Sequence, residues 1–225
     1  DLGMEAAGFS TLFSSDNDHR SCETLINNRD EAARRGKPFL QHALVHEADV
    51  EDLQADFILQ TIEMQPGELD LLIGGPPCQA FSVFGRRMGR QDPRGQLVYE
   101  YLRLLNGLRP EAFVFENVYG FLTVEGGEVF KEVTAQLRNP APGLHYTLSI
   151  HRLNAVDYGV PQFRDRVFII GHRGGASVAE IPSITAEKTD LFTRLPRYRT
   201  VRDGLRDLPP AESDYPPNHT GRTHS

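Results

Sequence analysis

The chain has 225 residues, 39% of them hydrophobic, enough to bury a substantial core, and one domain is expected. Its formal charge of −7 argues by itself against a nucleic-acid partner, because phosphate binding usually needs a basic face. The apolar runs around Leu71 and from Val167 to Ile170 are far too short to span a bilayer, and no basic patch leads into an apolar N-terminal stretch, so neither membrane association nor an address signal is expected.

Short apolar runs of β type alternate with longer runs of helical period, the pattern of an α/β three-layer sandwich around a mostly parallel sheet. Thr11 to Ser14 is predicted as a strand, Asp18 to Asn28 as a helix begun by an Asp/Asn cap, and Leu53 to Met64 as a helix closed by Pro66-Gly67. Leu69 to Ile73 then forms a buried strand. From Gly95 to Leu108 the positions Leu97, Val98, Tyr101, Leu102, Leu104, Leu105 and Leu108 share one helical face, and Pro110 ends it. Ala112 to Phe115 resumes the sheet, Val129 to Leu137 is helical, and His145 to Leu153 and Arg166 to Ile170 are strands separated by the Tyr158-Gly159-Val160-Pro161 turn. From about Gly174 onward, Pro- and Arg-rich segments break the pattern.

In open α/β sheets the chemistry lies at the carboxyl ends of the strands. Asp16, the run Gly74 to Cys78, and Glu116-Asn117 each follow a predicted strand, so they are expected to converge at one edge. The stretch Gly74-Gly75-Pro76-Pro77-Cys78-Gln79-Ala80-Phe81-Ser82 places a thiol in a rigid turn. Nearby positive charge from Arg86, Arg87, Arg90 and Arg94 would favour its thiolate and make a nucleophile; a buried structural cysteine is the bland alternative. Those arginines, set against the acid gathered between Glu47 and Glu68, leave open a positive face on an acidic body. Only two cysteines are present, which suggests a reducing, cytoplasmic setting rather than a disulfide framework, and Cys22 reads as a small buried residue of a helix. The histidines show no metal-ligand spacing, so no metal is expected, and His151 and His172 read as strand-end surface residues.

The Pro77-Cys78-Gln79 run resembles the Pro-Cys-Gln signature of the cytosine-C5 DNA methyltransferases. Phe115-Glu116-Asn117-Val118 is similar to that family's Glu-Asn-Val block, Asp92-Pro93-Arg94-Gly95-Gln96-Leu97 to its Asp-x-Arg-Gly-x-Leu segment, and Gln162-Phe163-Arg164-Asp165-Arg166 to its Gln-x-Arg-x-Arg block. Each block is short, but they stand in the family's order.

The resemblance implies a Rossmann-like fold dependent on S-adenosylmethionine, and a double-stranded DNA substrate. Cys78 would add to C6 of a flipped-out cytosine, making C5 nucleophilic enough to take the methyl group, and Glu116 would bind the N3 edge. Arg164 and Arg166, expected on one side of a strand, would hold the base oxygen O2 or clamp Glu116; standing alone, they read as solvated strand residues. Asn117 and Gln162 would fix backbone and loop geometry. Asp16-Asn17-Asp18 looks like the block that takes the ribose hydroxyls, with Asp in place of the commoner Glu, and Asp49-Val50 like the block that meets the adenine amino group and ring. Helix capping would explain either aspartate as well. Pro77 and Leu97 would complete the cofactor wall.

The glycine-flanked stretch from Ser82 to Arg90 suits a loop that closes over DNA. Arg86, Arg87 and Arg90 would hold phosphates while Ser82 and Phe84 face the duplex, Phe84 as a wedge; an ordinary basic surface loop is the alternative. The resemblance runs to about Leu208, with residues 209–225 approaching a target-recognition domain that the family places next. Asp1 to Phe9 resembles the helix after the family's Phe-x-Gly-x-Gly loop, so a first strand and that loop are expected upstream, either in a longer monomeric protein or in the second chain of a split enzyme. A prokaryotic restriction–modification or orphan enzyme is the expectation; a tRNA cytosine-C5 methyltransferase and a non-catalytic DNA-binding relative are the alternatives.

Overall fold

The computed structural model describes residues 1–37, 39–77, 93–187 and 195–208, with the side chains of 93–96 outside that description. The expectations for Cys78, Ser82, Phe84, Arg86, Arg87 and Arg90 fall outside the described residues.

The chain opens with α1 (Leu2–Ala6), β1 (Phe13–Asp16) and α2 (His19–Arg34). Asp18 starts α2 because its carboxylate accepts the otherwise unpaired backbone N–H of Ser21 at 3.0 Å. β2 (Leu44–Glu47), α3 (Ala55–Thr61), β3 (Leu71–Gly74) and α4 (Pro93–Leu108) follow. α4 ends where Arg109 turns to φ 51° and Pro110, which has no N–H to give, follows. β4 (Ala112–Val118), α5 (Glu128–Arg138), β5 (Thr147–Asn154), β6 (Asp165–His172) and α6 (Val201–Leu205) complete the order.

Every predicted strand and helix has a counterpart. β2 was not foreseen, because Leu44-Val45-His46-Glu47 is short and half polar, and alternation over so few positions carries little signal.

β1 and β2 form a parallel pair, with Phe13 opposite Leu44 and Asp16 opposite Glu47. The other strands form a sheet in the order β3-β4-β6-β5, in which β3 and β4 run parallel with Leu71 opposite Ala112. Among the described residues, β1 and β3 therefore each have one sheet neighbour. The core beside them gathers Ile58 and Leu59 of α3 and Leu104 and Leu108 of α4, with Phe13, Val50 and Leu72 packed against them. Phe113 and Phe115, both fully buried on β4, meet Tyr146 and Tyr101 edge to face at centroid distances of 5.1 and 5.2 Å.

The chain divides into two compact units, one comprising Asp1–Ile150 and Phe168–Ala179, the other His151–Val167 and the chain from Glu180 on. Within the second, Thr185 donates to the Val156 carbonyl at 2.6 Å and the Tyr198 hydroxyl to Asp157 at 2.6 Å, while Phe163 packs edge-on against Tyr198.

His151 and His172, expected on the surface, are half-buried, each with one buried ring nitrogen that has no hydrogen-bond partner among the described residues. The other ring nitrogen of His172 lies 3.7 Å from the Glu111 carboxylate. Cys22 is buried as expected; its thiol donates to the Asp16 carbonyl at 3.4 Å, and desolvation pushes its pKa up, which keeps it protonated.

Candidate active site

Within the first unit the functional groups collect at carboxyl ends of parallel strands. Asp16 is the last residue of β1, Gly74 the last of β3, and Glu116 and Asn117 stand near the end of β4. A cavity of about 1050 Å³ runs along β1 and β3, every residue of which contributes to its wall, while Glu116 and Asn117 stand outside its lining. Asp16, Asn17, Asp49, Val50, Pro77 and Leu97, the residues expected around a cofactor, all line it.

Asp49 heads an irregular loop that leaves β2. One of its carboxylate oxygens accepts the backbone N–H of Glu51 at 3.1 Å and the other accepts Asn17 Nδ2 at 3.2 Å. The backbone donor, followed by the Asn17 amide, holds its carboxyl below the ordinary aspartate range, so it stays an ionised acceptor. Asn17 thus ties the exit of β1 to the exit of β2. Asp16 accepts the backbone N–H of Asp18 at 2.9 Å, which shapes the turn into α2 and leaves its second oxygen for a ligand hydroxyl. Val50 packs its side chain onto the α3–α4 cluster. Two carboxylates beside an apolar wall of Val50 and Leu97 fit the hydroxyls, amino group and flat ring of an adenosine.

His19 makes a link that the sequence did not announce. Its Nδ1 lies 2.6 Å from the Glu47 carboxylate, joining the first turn of α2 to the last residue of β2 just outside the cavity. A histidine one helix position beyond a cap carries no recognisable sequence signal.

On β4, Glu116 is half-buried between fully buried Phe115 and nearly buried Asn117, as the alternation of a strand requires. Its Oε2 lies 2.9 Å from the point a Cβ on Gly75 would occupy, so the glycine leaves the space the carboxylate uses. Asn117 donates from Nδ2 to the Pro76 carbonyl at 3.1 Å and accepts the Val118 N–H at 2.9 Å. It anchors the turn that leads through Pro77 to Cys78.

Arg164 and Arg166 belong to the second unit, and one expectation about them is corrected. β6 begins at Asp165, so only Arg166 lies in the strand and the two do not share a strand face. Arg164 stops short of the ladder because its backbone N–H is taken by the Asn154 side chain at 3.0 Å, which also reaches Asp165 at 2.9 Å. Arg166 donates to the Asp165 carbonyl at 2.8 Å. Among the described residues, no group of three or more His, Cys, Asp or Glu could hold a metal ion, and no helix is long and apolar enough to cross a membrane.

Parallel strands, flanking helices and a carboxylate-edged cavity along β1 and β3 are those of a Rossmann-like methyltransferase of the S-adenosylmethionine-dependent class. Residues 1–224 match the family described as C-5 cytosine-specific DNA methylase, and the chain belongs to that family. The Type II methyltransferase M.AquIA of Picosynechococcus is 40% identical over 221 residues, covering 94% of this chain and 85% of that protein. The Type II methyltransferase M.AgeI of Thalassovita gelatinovora is 33% identical over 220 residues, covering 92% of this chain and 48% of that protein. A crystal structure described as a prophage-encoded DNA modification methyltransferase of E. coli matches with a TM-score of 0.67 at 27% identity, over 93% of this chain and 52% of the other. The chain therefore spans most of M.AquIA but about half of the other two.

Proposed function

We propose that the protein acts as a DNA (cytosine-5-)-methyltransferase of a restriction–modification or orphan modification system. The observation that carries this reading is that Asp16, Asn17, Asp49, Val50, Pro77 and Leu97 line one cavity, whose Gly75 wall abuts Glu116. A cofactor site and a base-binding carboxylate thus share one boundary, and Cys78 follows directly on Pro77. S-adenosylmethionine bound there would supply an electrophilic methyl group.

Asp16 would accept from the ribose hydroxyls and Asp49 from the adenine amino group, with Val50 and Leu97 against the ring. Cys78 would add as thiolate to C6 of the extruded cytosine, turning the ring into an enamine whose C5 is nucleophilic. Glu116 would bind the N3 edge, so that charge entering the ring meets a hydrogen bond, and Arg164 and Arg166 would hold the base oxygen O2. Extrusion costs a few kcal/mol of unpairing and unstacking; Arg86, Arg87 and Arg90 on phosphates, with Ser82 and Phe84 toward the duplex, would offset part of that.

The test is mass spectrometry of the full-length enzyme with S-adenosylmethionine and duplex DNA carrying 5-fluorocytosine, whose fluorine blocks the final elimination. A covalent adduct at Cys78, absent in Cys78→Ala, is expected. An adduct with fluorinated tRNA and none with duplex would replace DNA by tRNA as substrate, and no adduct with either would leave a non-catalytic DNA-binding relative.

A further inference from the structure

The loop that carries Asp49 and Val50 is pinned from a second side, by α4. Arg103 donates from Nη2 to the backbone carbonyl of Val50 at 2.9 Å, while its Nε is held by the Glu100 carboxylate at 2.6 Å, one helical turn back. Neither side chain is free in solvent: Arg103 keeps 35% and Glu100 23% of its surface exposed. Among the described residues, the Val50 carbonyl otherwise receives a longer bond from the Leu53 N–H at 3.3 Å within the loop.

That loop has no helix or sheet ladder of its own to fix it. Besides its internal turn, the Ala48 N–H donated to the Asp16 carbonyl at 3.1 Å, and the apolar packing of Val50 and Leu53, two side chains hold it by hydrogen bonds: Asn17 at Asp49 and Arg103 at Val50. The helix that supplies Arg103 also supplies Leu97, Tyr101, Leu104 and Leu108 to the cavity wall. One rigid element thus sets both an apolar wall of the cavity and the position of the loop opposite.

We propose that Arg103, oriented by Glu100, is a positioning residue for adenine recognition: by holding the Val50 carbonyl it keeps the Asp49 carboxylate where it can accept from a 6-amino group and the Val50 side chain flat against the ring. The guanidinium suits the task because its fork binds a carboxylate through one nitrogen and a carbonyl through another, which a lysine ammonium on a flexible stem does less rigidly. This inference rests on the cofactor assignment made above and deepens it. It does not make Arg103 a ligand, since its hydrogen bonds go to the protein.

A positioning role predicts a loss of discrimination and not merely of affinity. The full-length enzyme would be titrated by calorimetry with S-adenosylhomocysteine and with S-inosylhomocysteine, which replaces the 6-amino group by a carbonyl oxygen that cannot donate to Asp49. Wild type is expected to prefer the adenosyl compound. Arg103→Met is expected to bind it about tenfold more weakly, the effect of losing one charge-assisted hydrogen bond, and to lose most of the preference, with Arg103→Lys in between. Duplex DNA affinity should be unchanged. Glu100→Gln, a milder change that leaves the guanidinium in place but loosely held, should lower the preference severalfold and keeps the test decisive if Arg103→Met fails to fold. Variants that keep the preference, or weaken both compounds equally, would overturn the inference while leaving the cofactor site intact. Failure of wild type to bind S-adenosylhomocysteine would overturn the cofactor assignment, and this inference with it.

Discussion

Glu116 on β4 and Gly75 in the turn after β3 approach so closely that a Cβ added to the glycine would stand 2.9 Å from the carboxylate oxygen Oε2. The obstructed atom is the tip of a flexible side chain, so Gly75→Ala has an inexpensive escape: the carboxylate swings aside. We expect the variant to unfold within about 0.5 kcal/mol of wild type. Turnover should fall by roughly 10–100-fold, because displacing a group that must meet the reacting ring by about 1 Å costs on that order. Paired measurements of urea unfolding and single-turnover methylation check both halves. A variant as active as wild type would mean that Glu116 does not need its present position.

Gly74, one residue earlier, presents the opposite case. A Cβ there would stand 2.6 Å from ring carbons of Tyr101, which is buried and whose hydroxyl donates to the Val114 carbonyl at 3.2 Å. Burial also raises the phenol's pKa well above its usual value, so it remains a neutral donor. The ring has nowhere to go without losing that bond and its edge-to-face contact with Phe115. Gly74→Ala should therefore destabilise by about 1–3 kcal/mol, the cost of forcing the Tyr101 ring off its present packing and hydrogen bond, visible as a lower urea midpoint at unchanged slope.

The two glycines show what was legible in the sequence and what was not. Both stood out as a Gly-Gly pair at a strand exit, and the strand, the turn and the later Glu-Asn block could be placed from apolar runs and Pro and Gly breaks. Which glycine faces a movable carboxylate and which a fixed ring depends on contacts across the β3–β4 pair and with α4, and pattern carries no such distances. The residues that line the cavity stood out for a related reason: Asp16, Asp49 and Leu97 each belong to a local block, although only folding brings them into one wall. Arg103 was not legible, because an arginine on an otherwise apolar helix reads as a solvated residue until its carbonyl partner, far away in sequence, is known. Arg164 was misplaced since strand alternation was extended one residue too far; the Asn154 side chain that takes its N–H belongs to β5.

Asn117 links β4 to the turn before Cys78. Asn117→Ala removes the donor to the Pro76 carbonyl and the acceptor of the Val118 N–H, both in a nearly buried position. Leaving such groups unpaired costs about 1–3 kcal/mol each. Beyond that loss, the turn should drift, and adduct formation with 5-fluorocytosine DNA should slow by at least about tenfold under conditions where the variant is fully folded. Adduct formation at the wild-type rate would show that the turn keeps its place without this hydrogen bond.

His19 and Glu47 make the start of α2 and the end of β2 sensitive to pH. The Glu47 carboxylate, through its hydrogen bond and charge, raises the imidazole pKa above its usual 6.5, and Glu23 and Asp18 push the same way. A group whose pKa is raised on folding adds stability that is complete below its unfolded pKa and is lost as pH rises through the folded one. The contribution should therefore be complete at pH values well below the ordinary 6.5 and fade as pH rises above it. Because both side chains are exposed, the effect is small and screened by salt, and it is best read as a difference. Wild type and His19→Gln should differ in urea midpoint at the lower pH and low ionic strength, and converge at the higher pH. Since Glu47 ends the strand from which the Asp49 loop departs, affinity for S-adenosylhomocysteine should follow the same course, slightly tighter in wild type at the acidic end and equal at the alkaline end. A gap that stays constant across this range would mean that His19 contributes packing rather than charge.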